Sequence, residues 1–255
     1  MESHQLLAVI WEKSKLNLKS EAAINYLSYC WWIIEPVIHM LCYYLVFELL
    51  LKSGGPDFVY FLLTGLVPWL WFAKVVNQGS MSLVGGQHLM GQLFIPKLFF
   101  PLVFVTQCSI KQLMVFSLLL VFLLLSGFGI SAHWLGSLAV MAVQLLFMIP
   151  LVCLLAVLVA FVRDLNYVIP TLLQFAFFCS GIFFSIETVA PEYQELFFIN
   201  PMAGLIHQYR ETLLHNHWPD WLYLGKILLG SALLWLITLS LYRRHEYTIT
   251  RLVQE

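Results

Sequence analysis

Charged side chains are scarce in this 255-residue chain: Asp, Glu, Lys and Arg make up 11% of it, against roughly 25% in soluble domains. That scarcity, beside 61% apolar and 16% aromatic residues, excludes a soluble fold. A core of this size cannot hide so much apolar surface, so lipid must solvate it. A GxxxxGK(S/T) phosphate loop is also missing, which excludes the usual cradle for ATP. HExxH and CxxC spacings are absent, and Cys30, Cys42, Cys108, Cys153 and Cys179 lie singly in apolar stretches, as buried small hydrophobes do. No Ser–His pairing at a recognisable spacing supports a membrane protease. Glu12, Lys13, Lys15, Asn17 and Lys19 interrupt the N-terminus before any long apolar run, and no small-residue cleavage site follows. A cleavable signal peptide is therefore not expected.

What the chain does have is apolar runs. With about 20 residues per span, its length accommodates about six transmembrane helices with short connections, as a single domain over residues 1–255. Residues 4–20 alternate Leu6, Leu7, Ile10 and Trp11 with Glu12, Lys13, Lys15 and Lys19. Apolar positions three and four apart share a helix face, predicting an amphipathic helix in the membrane interface. Spans are expected at 29–51, 58–76, about 101–126, 134–162, 167–184 and 221–242, with a turn at 52–57. Two segments are too polar to span: 77–92, and 185–220 with its Glu187, Glu192, Glu195, Arg210 and Glu211.

Orientation follows from the cations. An even number of spans puts both termini on one side, together with Lys13, Lys15, Lys19, Lys97, Arg163, Arg243, Arg244 and Arg251. The other side holds Lys52, Arg210 and Lys226. Both termini and 77–92 are expected in the cytoplasm, and 185–220 outside.

Some polar residues invite chemistry. His207, Glu211 and His215 recur every fourth residue, one face of any helix there, but they lack a zinc-enzyme pattern and fit interfacial polar residues; no metal is expected. Lys111 falls inside the third span, where a charge must face the protein interior or water, or snorkel to the headgroups. Segment 77–92 carries Met81, Leu83, Val84, Leu89 and Met90 among glycines. It reads either as a short helix docking on a soluble partner or as a plain connection.

Five short motifs, in order, resemble a known family. They are Trp32-Ile-Ile-Glu-Pro36, Gly65-Leu-Val-Pro-Trp69, Ile95-Pro-Lys-Leu-Phe-Phe-Pro101, Arg163-Asp164, and Asn200-Pro201 followed by Tyr209-Arg210. The chain is similar, over nearly its whole length, to the permease subunits of ABC exporters for O-antigen, capsule and teichoic-acid polysaccharides. The resemblance implies an all-α membrane protein of six transmembrane helices, with an N-terminal interfacial helix and re-entrant periplasmic helices between spans five and six. It implies a homodimer in the bacterial inner membrane, paired with two ABC nucleotide-binding subunits that hold the ATP and magnesium. This chain itself would need no cofactor, catalyse nothing and bind no nucleic acid. The cargo would be an undecaprenyl-pyrophosphate-linked polysaccharide, O-antigen by virtue of the Arg163-Asp164 pair.

On that resemblance, Trp69, Trp71, Phe72, Phe175 and Phe178 are expected along the substrate path, where aromatic faces let a sugar chain slide. Tyr193, Phe197 and Arg210 are expected at a periplasmic gate. Met81, Leu83, Val84, His88, Leu89 and Met90 would couple to the ATPase. The segment departs from the family pattern at Gly85-Gly-Gln-His-Leu-Met-Gly-Gln92, where basic residues or asparagine are usual. Capsule, teichoic-acid and small-molecule exporters share this architecture. A different class, an intramembrane enzyme acting on lipid-linked sugars, would need Glu35, His39 and Glu48 as its reactive groups.

Overall fold

A computed structural model describes residues 3–24, 28–50, 57–92 and 95–254, and every regular element among them is helical. The turn expected at 52–57 falls on residues of which only Asp57 is described, and the side chains of Glu48, Glu195 and Arg251 lie outside the description.

Among the described residues, four helices are long and apolar enough to cross a bilayer: α3 (Phe58–Gly79), α6 (Phe99–Leu125), α7 (Trp134–Phe161) and the Trp221–His245 part of α11 (Trp221–Gln254). At 22 to 28 residues they are about 33–42 Å long, enough for a hydrocarbon core of about 30 Å. Three of them, α3, α7 and α11, run in one direction and α6 in the other. Tyr60 meets Phe128 and His133 meets Trp218 at one end, while Leu83 and Met90 pack with Ala160 and Tyr242 at the other.

The first and fifth expected spans take other forms. α2 (Ser28–Tyr44) continues into a π-helical turn, Leu45–Leu50, so the first run is helical but not uniformly α. α8 (Leu165–Phe178) has only 14 residues, about 21 Å. It stops short of the expected Phe184 because Gly181, at φ +66°, takes a left-handed conformation that suits glycine.

α3 is the hub, packing against α2, α6, α7, α8 and α10 (Pro201–Leu213). Its stretch from Leu62 to Trp69 is buried without a break. The α6 residues Leu113, Leu118, Val121, Leu124 and Leu125 remain exposed, an apolar surface suited to lipid. Two side chains of α11 reach carbonyls of α7: Thr238 to Pro150 (3.3 Å) and Tyr242 to Cys153 (3.1 Å).

The leader is helical, as its pattern requires, forming α1 (Ser3–Ile24). Part of its apolar face, however, is used inside the protein. Ile10 packs on Phe99 and Val103, Ser14 donates to the Val103 carbonyl at 3.2 Å, and Glu21 meets Lys111. α1 thus runs beside the first turns of α6, leaving Leu7, Trp11 and Leu16 exposed.

Candidate functional site

The chain immediately after α8, residues 179–185, is irregular, and its carbonyls need donors if no water reaches them. Arg210 supplies them. Its side chain is buried and donates to Gly181 O (2.7 Å), Ile182 O (3.0 Å) and Phe61 O (3.2 and 3.3 Å). The guanidinium also sits 3.4 Å from the Phe61 ring centroid, so carbonyl dipoles and an aromatic face solvate the charge. The glycine of the Gly65-Leu-Val-Pro-Trp69 motif makes room, since a Cβ there would stand 2.8 Å from the Arg210 guanidinium.

The Asn200-Pro201 pair has an equally local cause. Asn200 caps α10 by accepting from Met202 N at 3.1 Å, and Pro201 occupies the first turn, where no N–H is needed. The Asn200 amide also donates to Ser180 Oγ at 2.9 Å, tying α10 to the end of α8. Tyr209, fully buried, donates to Gln144 Oε1 (3.0 Å), and Gln144 in turn donates to Pro68 O (2.9 Å). Motifs far apart in sequence are thereby joined through α3, α7 and α10.

Among the expected gate residues, Arg210 is this internal clamp, Phe197 packs on Phe184 and would meet a Cβ at Gly181, and Tyr193 is exposed. Tyr193 and Phe197 sit on the short helix α9 (Pro191–Phe197). Beside it, Phe198, His207, Glu211, Trp218 and Tyr223 line an open cleft of about 680 Å³. Glu211 pairs with His217 at 2.8 Å rather than forming a stripe with His207 and His215.

The expected path residues divide. Trp69 and Phe72 are buried in a network that runs through Phe177 (5.7 Å from Trp69) to Phe178 (5.4 Å from Phe177). Phe178 and Phe175, 55% and 70% exposed, lie on the outward face of α8 with Tyr167 and Leu172. Trp71, also buried, lines a separate cavity with residues of α6. Phe177 is the link the sequence did not single out, for its neighbours Phe175 and Phe178 look identical in composition.

Segment 77–92 forms two short helices, α4 (Ser82–Gly85) and α5 (Gln87–Gln92). Leu83 and Met90 turn inward onto Cys153, Ala156, Val157, Ala160 and Tyr242. Met81, Val84 and Leu89 are half-buried, whereas Gly85, Gln87, His88, Gly91 and Gln92 are exposed. Of the residues expected to couple to the ATPase, Leu83 and Met90 therefore pack within this chain, and the residues exposed here are glycines and polar side chains, His88 among them.

Sequence reasoning also missed two ion pairs. Lys111 meets Glu21 of α1 at 2.6 Å, and Lys74 of α3 meets Glu35 of α2 at 2.7 Å. A cation in a span needs a partner, but nothing in the pattern says which carboxylate, 90 residues away, provides it. Glu35 is thus a charge partner, and His39 Nδ1 lies 2.8 Å from the Glu35 backbone carbonyl.

Long apolar helices packed around a buried, carbonyl-bound arginine define a multi-pass helical membrane protein. No protein-family model matches the chain. It is similar to known permeases, however: it is 24% identical over 249 residues to the O-antigen export system permease protein RfbA of Klebsiella pneumoniae, covering 97% of this chain and 95% of the relative. The Myxococcus xanthus protein of that name is 26% identical over 221 residues, 86% of this chain and 85% of the relative. The polysialic acid transport protein KpsM of Escherichia coli is 22% identical over 224 residues, 86% of each.

Proposed function

We propose that this chain is the channel-forming permease subunit of an ATP-driven exporter that carries an undecaprenyl-pyrophosphate-linked polysaccharide, O-antigen foremost, across the bacterial inner membrane. The observation that carries the reading is end-to-end similarity to polysaccharide-export permeases. Two copies would face each other across α2, α3 and α8, where Phe175 and Phe178 project outward. A separate nucleotide-binding subunit would engage the α4–α5 end, whose exposed His88 and Gln87 are free to meet it. Six crossings would be completed by α2 with its π turn and by α8 with the irregular segment that Arg210 holds, while α9 and α10 dip in from the periplasmic side.

In this scheme the protein conducts rather than catalyses, and motion at the α4–α5 end opens the path. Deleting the gene is expected to leave full-length lipid-linked polymer inside the cell and none at the surface, read by surface antibody labelling against whole-lysate blotting. Loss of polymer synthesis itself would overturn the proposal and favour an enzyme.

A further inference from the structure

The two ion pairs missed from sequence flank one cavity. It holds about 50 Å³ and is lined by Trp32, Glu35, Val67, Leu70, Trp71, Lys74, Cys108, Lys111, Gln112 and Val115. That space takes a few water-sized groups, which suits a single phosphate and excludes a sugar chain. Its polar lining is rich in donors. The Lys111 ammonium lies 5.1 Å from the Trp32 ring centroid, and the buried Trp71 indole N–H has no hydrogen-bond partner among the described residues. Gln112 reaches the Val67 carbonyl only at 3.5 Å.

Depth separates the charges. The Lys111 side chain is 10% exposed against 38% for Glu21, and that of Lys74 is 32% exposed against 45% for Glu35. Both cations and Glu35 line the cavity, whereas Glu21 lies outside the lining, and each carboxylate is more exposed to screening than its cation. Beside the cavity, α2 presents exposed Trp31, Val37, Ile38 and Leu41, an apolar surface on which an acyl or isoprenoid chain can lie. The two lysines are balanced by their carboxylates, but the buried Trp71 N–H has no acceptor among the described residues, a cost that an acceptor in the cavity would relieve.

We propose that this cavity binds the phosphate headgroup of a membrane lipid, with Lys111, Lys74 and Trp71 as its donors and Glu21 and Glu35 as the counterions that the phosphate replaces. Each lysine supplies a charge-assisted hydrogen bond to a phosphate oxygen. The lipid is defined by its apolar tail and by a terminal phosphate, because a cavity of about 50 Å³ has no room for a further headgroup such as choline, and the site does not depend on which cargo the protein exports.

The test is native mass spectrometry of the full chain released from neutral detergent. Phosphatidic acid, an isoprenyl diphosphate, phosphatidylcholine and inorganic phosphate are added in separate arms. Binding of phosphatidic acid and the diphosphate, but not phosphatidylcholine, is expected. Lys111→Gln or Lys74→Gln should weaken it about tenfold, a loss expected for a hydrogen bond to a charged group, and Lys226→Gln on the distant cleft should leave it unchanged. Glu35→Gln and Glu21→Gln should strengthen binding, because each frees a lysine; a purely structural ion pair would give no such gain. This sign keeps the idea testable if a lysine variant fails to fold. Equal binding by all variants, or no gain from either glutamine, overturns the site. Binding of inorganic phosphate as tight as that of the lipids overturns the lipid assignment.

Discussion

Arg210 shows how a single residue can hold irregular backbone within a membrane protein. Three backbone carbonyls, rather than a carboxylate, share its charge. Removing the side chain orphans those carbonyls, and each buried unsatisfied group costs about 1–3 kcal/mol. Arg210→Ala should therefore destabilise the protein by about 3 kcal/mol or more, seen as a lower thermal unfolding midpoint in detergent. Arg210→Lys should recover only part of the loss, because an ammonium cannot reproduce the planar fork that reaches Phe61, Gly181 and Ile182 together. A lysine variant as stable as the parent would contradict the clamp.

The α4–α5 turn illustrates what an element gains from its neighbours. Alone, helices of 4 and 6 residues would not persist in water. Leu83 and Met90 hold them against α7 and α11, and the turn between them presses on α6. A Cβ at Gly86 would lie 2.3 Å from the Phe100 ring, while one at Gly85 would meet nothing within 4 Å. Gly86→Ala should consequently cost about 1–3 kcal/mol through overpacking, and Gly85→Ala should cost almost nothing. The pair is read by thermal unfolding of purified protein, and equal effects would mean that the turn does not rest on Phe100.

At the scale of the whole molecule, His88 and His215 lie at opposite ends, because α4–α5 packs on the far ends of α7 and α11 while residue 215 precedes the start of α11. The cation-rich end carries Lys13, Lys15, Lys19, Arg163, Arg243 and Arg244, and the orientation proposed above, with that end in the cytoplasm, rests on the positive-inside tendency. In a background freed of native cysteines, His88→Cys should react with an impermeant maleimide only after the cells are opened. His215→Cys should react in intact spheroplasts. The reverse pattern would invert the exporter and remove the proposed site of ATPase contact.

The helical, lipid-solvated class was legible before any coordinates, because long apolar runs and scarce charge admit few other solutions. The motif positions were legible too: an N-cap asparagine before proline, or a glycine in a packed helix, are local choices that a short stretch of chain can display. Where the charges pair was not. Lys111 with Glu21, Lys74 with Glu35, and Arg210 with Phe61 of α3 and the carbonyls after α8 join residues 28 to 149 positions apart. Only packing brings such groups within the few ångströms at which hydrogen bonds act. Likewise, composition could nominate Leu83 and Met90 as docking residues, but the neighbouring α7 and α11 decided that they face inward.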